Sequence, residues 1–281
     1  MATLLGLAER PGESHGLGSL DPGLCRQLAA AAAASPQTRL CVTVTGPDGI
    51  AVGHGCARAK RGRARPGKTP RTAPATPASL PARVNLTITA ARLAELADQP
   101  PTAGQPSTTG PPATTGPPAT TGPPPTTGPP TTGPPGEPAW IFARDGDPGP
   151  PGGHGTWTLT LPDGRNLTVE LEPVPTLECD HRHESHAYQP NDKLCHLVQV
   201  RDYECTFPPC SRYARDSDFE HAVPYDRGGR TCGCNSGARS RQCHQVKQSP
   251  GWMVTQPKLG WHRWQTPAGR VYVQGPKRYP A

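Results

Sequence analysis

A proline-rich tract with five copies of TTGPP between Thr108 and Pro135 is the feature that most limits what this chain can fold into. Glycine does not recur at every third position, so the tract is not collagen-like, and its composition favours extended polyproline II. The chain has 39 prolines and 32 glycines among 281 residues, and only 33% of its residues are hydrophobic. Such a composition does not allow one core along the full length. We therefore expect small folded units joined by disordered tethers.

The chain is basic, with a formal net charge of +7 at pH 7. Seven Lys and Arg residues lie between Arg58 and Arg71 without a hydrophobic anchor, which predicts a disordered basic arm. A basic surplus suits a polyanionic partner, first nucleic acid and second an acidic membrane surface. The surplus is equally typical of a merely soluble basic protein, and the arm is either a phosphate-attracting segment or a solvated linker.

No run of 18 apolar residues is present, so we expect no membrane association through a spanning helix. The first residues, MATLLGLAERPGESHG, lack the basic and apolar segments of an export signal. The expected location is therefore the cytoplasm, where thiols stay reduced. The ten cysteines then indicate metal ligands or buried thiols rather than disulfides.

Hydrophobic periodicity predicts short helices and hairpins on both sides of the tract. Asp21 caps a Leu- and Ala-rich helix, and Asn191 caps another whose apolar residues recur at helical spacing. The segments CVTVTGPDGIAVGHGCA and TWTLTLPDGRNLTVELEP each alternate around a Pro-Asp-Gly turn, which predicts two hairpins. The tail predicts three strand-like pieces.

These patterns divide the chain into seven segments. They are a remnant N-terminal α/β segment (1–57), a basic disordered arm (58–85), a short strand and helix (86–98), the Pro/Thr/Gly-rich linker (99–154), a hairpin and helix (155–203), a cysteine- and histidine-rich core (204–250) and a C-terminal β-meander (251–281).

The segment EHAVPYDRGGRTCGCN brings together the side chains needed for phosphodiester hydrolysis. Such a reaction needs a base to take a proton from water, a divalent cation to stabilise the phosphate, and a group that holds the base in line. His221 is a suitable base, because imidazole has an unperturbed pKa near 6.5. A hairpin packed against a helix would bring Glu220 and His244 to one side of a cleft as metal ligands, with His221 on the opposite face of its strand.

The pattern EHAVPYDRGG…CN…CHQVK resembles the signature of HNH endonucleases, which are His-Me finger enzymes with a ββα-metal core. The wider stretch from about Gly155 to Ala281 is similar to actinobacterial HNH proteins that carry a helical domain of unknown function upstream. The residues before Arg58 resemble the end of that upstream domain, so we expect the chain to be a truncated or fragmentary copy.

The resemblance implies a role for each matching residue. Glu220 and His244 would be the metal ligands, and His221 the general base. Asn235 would orient the base through backbone hydrogen bonds or assist the metal site. Residues expected to contact phosphate are Arg227, Arg230 and Lys247. Many HNH sequences have Asp where this chain has Glu220, which is one methylene longer.

The cysteines around this motif predict a structural zinc site, because four thiolates, or three with one imidazole, complete a tetrahedral zinc sphere. Relatives place a Cys or His pair before the last histidine, but here Ser240 occupies the first position of that pair. The expected ligand set is Cys205, Cys210, Cys234 and Cys243. Cys232 in place of Cys234, or reduced thiols in a small core, are the alternatives.

The segment CDHRHESH offers Cys179, His181, His183 and His186. It is interpreted as a polar loop before the helix rather than a second metal cluster, because its spacing fits no regular finger.

The expected fold class is α+β: a small ββα-metal domain with a zinc knuckle, plus Pro/Gly/Thr-rich disordered linkers. The expected function is hydrolysis of DNA phosphodiester bonds by an HNH endonuclease with one catalytic divalent cation, Mg²⁺ or Mn²⁺, and a structural Zn²⁺. The alternative is a catalytically inactive, zinc-stapled DNA-binding module. DNA is the expected partner, and no protein partner is evident.

Overall fold

The computed structural model describes residues 1–15, 18–59, 82–98, 140–145 and 154–280. The TTGPP tract and most of the basic arm lie outside these ranges, so the predictions made for them stay predictions. Within these ranges the chain is a mixed α and β structure. None of the described helices is both long and apolar enough to cross a membrane.

The described elements follow one another along the chain as short strands and helices. The strands are β1 (Gly12–Ser14), β2 (Gly18–Leu20), β3 (Arg39–Thr45), β4 (Ala51–Ala59), β5 (Arg83–Thr89), β6 (Ile141–Arg144), β7 (Gly155–Thr160), β8 (Asn166–Pro173), β9 (Asp218–His221), β10 (Ser236–Arg239), β11 (Met253–Lys258), β12 (Trp261–Gln265) and β13 (Val271–Gln274). The α-helices are α1 (Pro22–Ala33), α2 (Ala90–Ala97), α3 (Asp192–Asp202) and α4 (Arg241–Gln248).

Six strands form one mixed sheet in the order β5-β3-β4-β8-β7-β6. β3 and β5 run parallel, whereas the other neighbouring pairs are antiparallel. Because side chains alternate between the two faces of a strand, the apolar residues of these strands gather into one core, which α1 and α2 also enter. This core includes Ala29, Ala33, Val42, Val44, Leu86, Ile88, Leu93, Phe142, Trp157 and Leu159.

The sheet joins strands from segments that the sequence analysis lists separately. The sequence separates 1–57, 86–98 and 155–203, whereas strands from all three segments are neighbours in this one sheet. Arg83, assigned to the basic arm, lies in β5 opposite Arg39. The physical reason is that alternation shows a strand has a buried face, but it does not show which distant strand lies beside it.

The second face of the sheet is also covered. Thr43 and Thr45, which alternate with the core valines, are buried despite their hydroxyls. The C-terminal segment reaches back over the sheet, since the Tyr279 amide donates to the Gly49 carbonyl at 2.9 Å and its hydroxyl donates to the Val200 carbonyl of α3 at 2.8 Å. α3 therefore lies against the sheet on this side.

α3 packs against other elements on two of its sides. Leu194 and Val198 pack with Ala214 and Ala238, which places one side of the helix against β10. Burying each of these two side chains contributes about 1.5–3 kcal/mol. Val200 belongs instead to the cluster formed with Tyr279, on the sheet side. The helix is thus a connector between the six-stranded sheet and the C-terminal half of the chain.

The C-terminal half contains a hairpin, a helix and a small sheet. β9 and β10 pair antiparallel, and α4 follows at once with Ser240 as its N-cap. β11, β12 and β13 form a three-stranded antiparallel sheet, in the region where the sequence predicts a meander. Trp264 of β12 is fully buried, packs with Ala222 and Val254, and donates its indole N–H to the Thr206 carbonyl at 2.8 Å.

Candidate active site and metal-binding groups

The candidate catalytic and metal-binding side chains of β9 project from both faces of the strand. Asp218 and Glu220 are two residues apart, so their carboxylates project to the same face, and His221 projects to the other. The strand is fixed by its antiparallel register with β10, in which His221 lies opposite Ser236. Glu220 and His221 are both only 6% exposed.

His221 is held as a neutral base with a defined tautomer. Its Nε2 lies 2.9 Å from Thr231 Oγ1, and the Thr231 hydroxyl donates its one hydrogen to the Tyr188 carbonyl at 3.3 Å. A proton on His221 Nε2 satisfies both contacts of the Thr231 hydroxyl, and this arrangement leaves Nδ1 as the basic nitrogen. The Tyr188 ring stacks on the imidazole at 5.5 Å. Burial, reinforced by the charge of Lys247, lowers the pKa of His221, so the base form is favoured.

Asn235 fixes the loop that follows His221. Its Oδ1 accepts the Val223 amide at 2.8 Å, and its Nδ2 donates to the carbonyls of Val223 at 3.0 Å and Arg230 at 2.9 Å. Of the two roles predicted for Asn235, these contacts match the one through backbone hydrogen bonds. The second residue of the double glycine must lack a side chain, because a Cβ on Gly229 would lie 1.9 Å from the Val223 carbonyl oxygen.

Glu220 is surrounded by basic groups. Arg239, which is fully buried, donates to Oε2, and Lys247 Nζ donates to Oε1 at 3.0 Å. The same Oε1 lies 3.6 Å from His244 Nε2. The two predicted metal ligands therefore approach each other, but the ammonium of Lys247 contacts the oxygen they would share with an ion.

His244 is oriented by a carboxylate that the sequence analysis passed over. Its Nδ1 lies 3.0 Å from Asp218 Oδ2, so the ring donates there and presents Nε2 towards Glu220. A carboxylate that fixes the tautomer of a histidine is the usual support of a metal ligand. The carboxylate and imidazole donors suit a divalent cation, provided that Lys247 releases Glu220 Oε1 and that the Gln248 amide, 2.8 Å away, releases His244 Nε2.

The three residues predicted to contact phosphate differ in their surroundings. Lys247 is directed inward and also donates to the His221 carbonyl at 3.0 Å, so it is not presented to a ligand. Arg230 is exposed, but both its Nε and Nη2 donate to the Glu184 carboxylate at 2.6 Å. Arg227 is exposed next to the left-handed Gly228. Arg227 is therefore the best presented of the three cations.

Three of the four predicted zinc ligands lie together. The thiols of Cys205, Cys210 and Cys243 are within 4.8 Å of one another, so this group could bind a metal such as zinc. Ser240 lies beside them, since its amide donates to Cys205 Sγ at 3.3 Å and its Oγ accepts from Cys210 at 3.8 Å. Burial raises the pKa of Cys243 to about 12. Without a cation nearby, that thiol stays protonated at neutral pH.

The fourth predicted ligand, Cys234, belongs to a different group. It lies with Cys179, His181 and Cys232, all within 4.8 Å of one another, and this set could also bind a metal such as zinc. Cys232 Sγ is 3.5 Å from Cys179 Sγ and 3.2 Å from His181 Nδ1. The structure thus places Cys234 apart from Cys205, Cys210 and Cys243, and it brings Cys179 and His181 of the CDHRHESH segment to Cys232 and Cys234.

The physical reason for this regrouping is a long-range contact. The Ser185 amide donates to the Thr231 carbonyl at 2.9 Å, which lays the CDHRHESH loop beside the turn that contains Cys232 and Cys234. His183, which the sequence also offered, lies instead near Glu172, at 3.9 Å. Spacing within CDHRHESH alone could not reveal partners fifty residues away.

Sequence reasoning missed Asp218, Thr231 and Arg239. The period-two rule could have found Asp218, which lies two residues before Glu220. Arg239 could not be found in that way, because its partners are fixed only when β9 and β10 pair and Trp264 covers it, with the guanidinium 5.2 Å from the ring.

Comparison with known proteins finds no matching family model and no matching solved structure. The chain is 35% identical over 98 residues to the uncharacterized protein Rv3776 of Mycobacterium tuberculosis, an alignment that covers 34% of this chain and 18% of that protein. It is 33% identical over 90 residues to the uncharacterized protein Rv2100 of the same species, covering 32% and 16% respectively. The chain thus spans less than a fifth of the length of these curated relatives, and its activity and partners are matters for proposal.

Proposed function

We propose that this chain is a metal-dependent endonuclease of the HNH type that hydrolyses DNA phosphodiester bonds. The observation that carries the proposal is the neighbourhood of β9, where the buried His221 contacts Thr231 through Nε2 and adjoins Glu220, whose Oε1 lies 3.6 Å from His244 Nε2. The strand-strand-helix order of β9, β10 and α4 is that of a ββα-metal core. The basic charge of the chain favours a polyanionic substrate.

In the proposed reaction, His221 Nδ1 takes a proton from a water molecule aligned with the scissile phosphate. Thr231 keeps the proton on Nε2, and Asn235 holds the loop that positions the imidazole. Glu220 and His244 would hold one divalent cation, Mg²⁺ or Mn²⁺. When bound, that cation supplies charge stabilisation to the phosphate and the leaving oxygen.

Structural zinc is part of the same proposal. The knuckle of Cys205, Cys210 and Cys243 would supply three thiolates, one fewer than a closed structural zinc site, so water would complete the sphere. The set containing Cys234 supplies three thiols and one imidazole, which complete a tetrahedral site. Both groups border the hairpin, a region with few large apolar side chains, where a metal compensates for a small core.

A specific observation favours a second candidate, a DNA-binding module without catalysis. Both oxygens of Glu220 are engaged by cations, Arg239 on one and Lys247 on the other. If Lys247 holds its place, no divalent ion reaches Glu220, and the basic fold binds DNA without cutting it.

Nicking of supercoiled plasmid in the presence of Mg²⁺ or Mn²⁺ separates the two candidates. We expect the full chain to nick, His221→Ala to abolish nicking without loss of DNA binding, and His186→Ala to nick normally. His186 is a suitable control because it is exposed and lies outside the metal-binding groups found among the described residues. Binding without nicking by the parent protein would overturn the nuclease proposal in favour of the inactive module.

A further inference from the structure

A group of four potential ligands lies away from the candidate active site, between the sheet and α3. Its members come from β3, β4 and α3, and their ligand atoms all lie within 4.8 Å of one another. They are Cys41, His54, Cys56 and His196. We propose that these four side chains bind one zinc ion that fastens α3 to the six-stranded sheet.

Strand register brings three of the ligands to one face. Cys41 and Cys56 are directly opposite each other on β3 and β4, and His54 precedes Cys56 by two residues. Since side chains two apart share a face, both project to the side of the sheet that α3 covers. His196 enters from α3, on the side of the helix that also carries Val200.

The distances are close to those of a tetrahedral zinc sphere. Cys56 Sγ lies 3.3 Å from His196 Nε2 and 3.6 Å from His54 Nε2, and the two imidazole Nε2 atoms are 2.7 Å apart. Zn–N bonds of about 2.0–2.1 Å and Zn–S bonds of about 2.3 Å separate neighbouring ligand atoms by roughly 3.3–3.8 Å. The two nitrogens, which are 2.7 Å apart, would have to separate by about 0.6 Å to accommodate the ion.

A hydrogen-bond relay prepares His54 as a ligand. Thr43 is fully buried, and its hydroxyl donates to Asn85 Oδ1 at 2.9 Å while lying 3.2 Å from His54 Nδ1. With the Thr43 hydrogen on Asn85, a proton on His54 Nδ1 satisfies the second contact and directs the Nε2 lone pair to the cluster. Outer partners of this kind fix the tautomer of metal-bound histidines.

Zinc at this position would connect the six-stranded sheet to the hairpin through α3. α3 holds the hairpin through Arg201, whose guanidinium donates to the carbonyls of Gly233 at 2.7 Å and Ser236 at 2.8 Å. An ion held by His196 on the opposite side of the same helix therefore links the sheet to the hairpin. This inference does not depend on nuclease activity.

The main test uses the unaltered full chain, purified with zinc and without reductant. Its thiols are alkylated with and without prior treatment by a zinc chelator, and the peptides containing Cys41 and Cys56 are measured by mass spectrometry. We expect both thiols to be protected in the zinc-loaded protein and modified after chelation. Modification without chelator would overturn the proposal, and so would modification that requires a reductant, since that indicates a disulfide.

Zinc stoichiometry provides a second readout. Elemental analysis of His196→Gln and His54→Gln should show one zinc per chain less than the parent protein. His183→Gln, which changes a histidine outside the four-ligand group, should retain the parent value. Circular dichroism checks that each variant is folded. Equal zinc content in a folded His196→Gln variant and the parent would contradict the site.

Discussion

The six-stranded sheet and the β9-β10-α4 hairpin region are stabilised by different physical means. The sheet buries a continuous apolar core that includes Val42 and Trp157. The hairpin region buries charges instead, since Arg239 pairs with Glu220 inside it and the Arg201–Asp202 pair of α3, at 2.7 Å, packs against it. Two cysteine-rich groups border the region. The comparison teaches that a short segment poor in apolar residues can be ordered by ion pairs and ligand groups, where a longer segment uses periodic hydrophobic burial.

The largest expected difference between the two regions concerns the proposed zinc, whose loss should destabilise the hairpin region and not the sheet. Cys205→Ser should unfold the hairpin region while the sheet stays protected from protease, with destabilisation on the order of 5 kcal/mol, because structural zinc supplies about 10–16 kcal/mol in small peptides. Limited proteolysis with peptide mapping measures it. Cys25→Ser, outside the ligand groups of the described residues, is the control. Equal resistance of both variants would show that the hairpin does not need metal.

The next largest effect concerns the buried ion pair. Arg239→Met should destabilise the protein by about 3–5 kcal/mol, because it leaves Glu220 buried with one partner fewer. Arg241→Met is the matched control, since the Arg241 side chain is 73% exposed and should cost less than about 0.5 kcal/mol. Urea unfolding measures both variants. Similar unfolding free energies for the two variants would mean that the buried ion pair of Arg239 does not contribute to stability.

The sheet core should respond to a cavity without any effect on metal. Leu159→Ala should cost about 2–5 kcal/mol of unfolding free energy, because Leu159 is only 1% exposed. Zinc content and nicking of the folded variant should equal those of the parent. Leu177→Ala, at a side chain 72% exposed, is the control and should be close to neutral. A loss of zinc on Leu159→Ala would show that the two regions are not independent.

A smaller effect tests the tautomer of His221. Thr231→Val removes the hydroxyl that accepts from Nε2 while keeping the side-chain volume, so the nicking rate should fall about 10–100-fold, or roughly 1.4–2.7 kcal/mol. Thr231→Ser should restore most of the rate, which a packing effect alone would not do. Plasmid nicking at fixed Mn²⁺ measures the series. No difference between the valine and serine variants would remove Thr231 from the proposed mechanism.

The smallest effect is a pH dependence from His262. Burial, together with the charge of Arg239, holds the pKa of His262 well below its usual 6.5. His262 binds a proton near pH 6.5 in the unfolded chain but stays neutral there in the folded chain. The unfolding free energy is therefore highest above pH 6.5 and falls as the pH decreases. Between pH 7.5 and 5.5 the loss should be about 1.4 kcal/mol. His262→Gln should reduce the slope in urea unfolding, and an unchanged slope would contradict this assignment.

Local patterns anticipated many of the elements, because capping and alternation depend on neighbours in the sequence. Asp21 and Asn191 cap α1 and α3 as the sequence predicts, each accepting an amide hydrogen in the first turn. Alternation likewise found β3, β4, β7 and β8. The pairing of β4 with β8, which unites two predicted segments, was not anticipated. The local sequence of a strand does not show which distant strand will be its hydrogen-bond partner.

The candidate site shows the same division. Residue types and spacing drew attention to Glu220, His221, Asn235 and His244, but they did not show that Cys234 lies with Cys179 or that Lys247 contacts Glu220. Both omissions have one cause. The direction of a side chain depends on which element packs over it, and here that is the loop carrying Cys179 in one case and the Glu220 carboxylate in the other.

The sequence by itself determined the caps of α1 and α3, the alternating strands around the two Pro-Asp-Gly turns, and which side chains have the chemistry for metal and phosphate. Only the tertiary structure decided that distant strands form one sheet, that cysteines and histidines of the described residues assemble into three groups, and that His221 contacts Thr231. The physical reason is range. Backbone propensity and periodicity act over a few residues, whereas a ligand sphere or a fixed tautomer needs contacts between groups that are far apart in the chain.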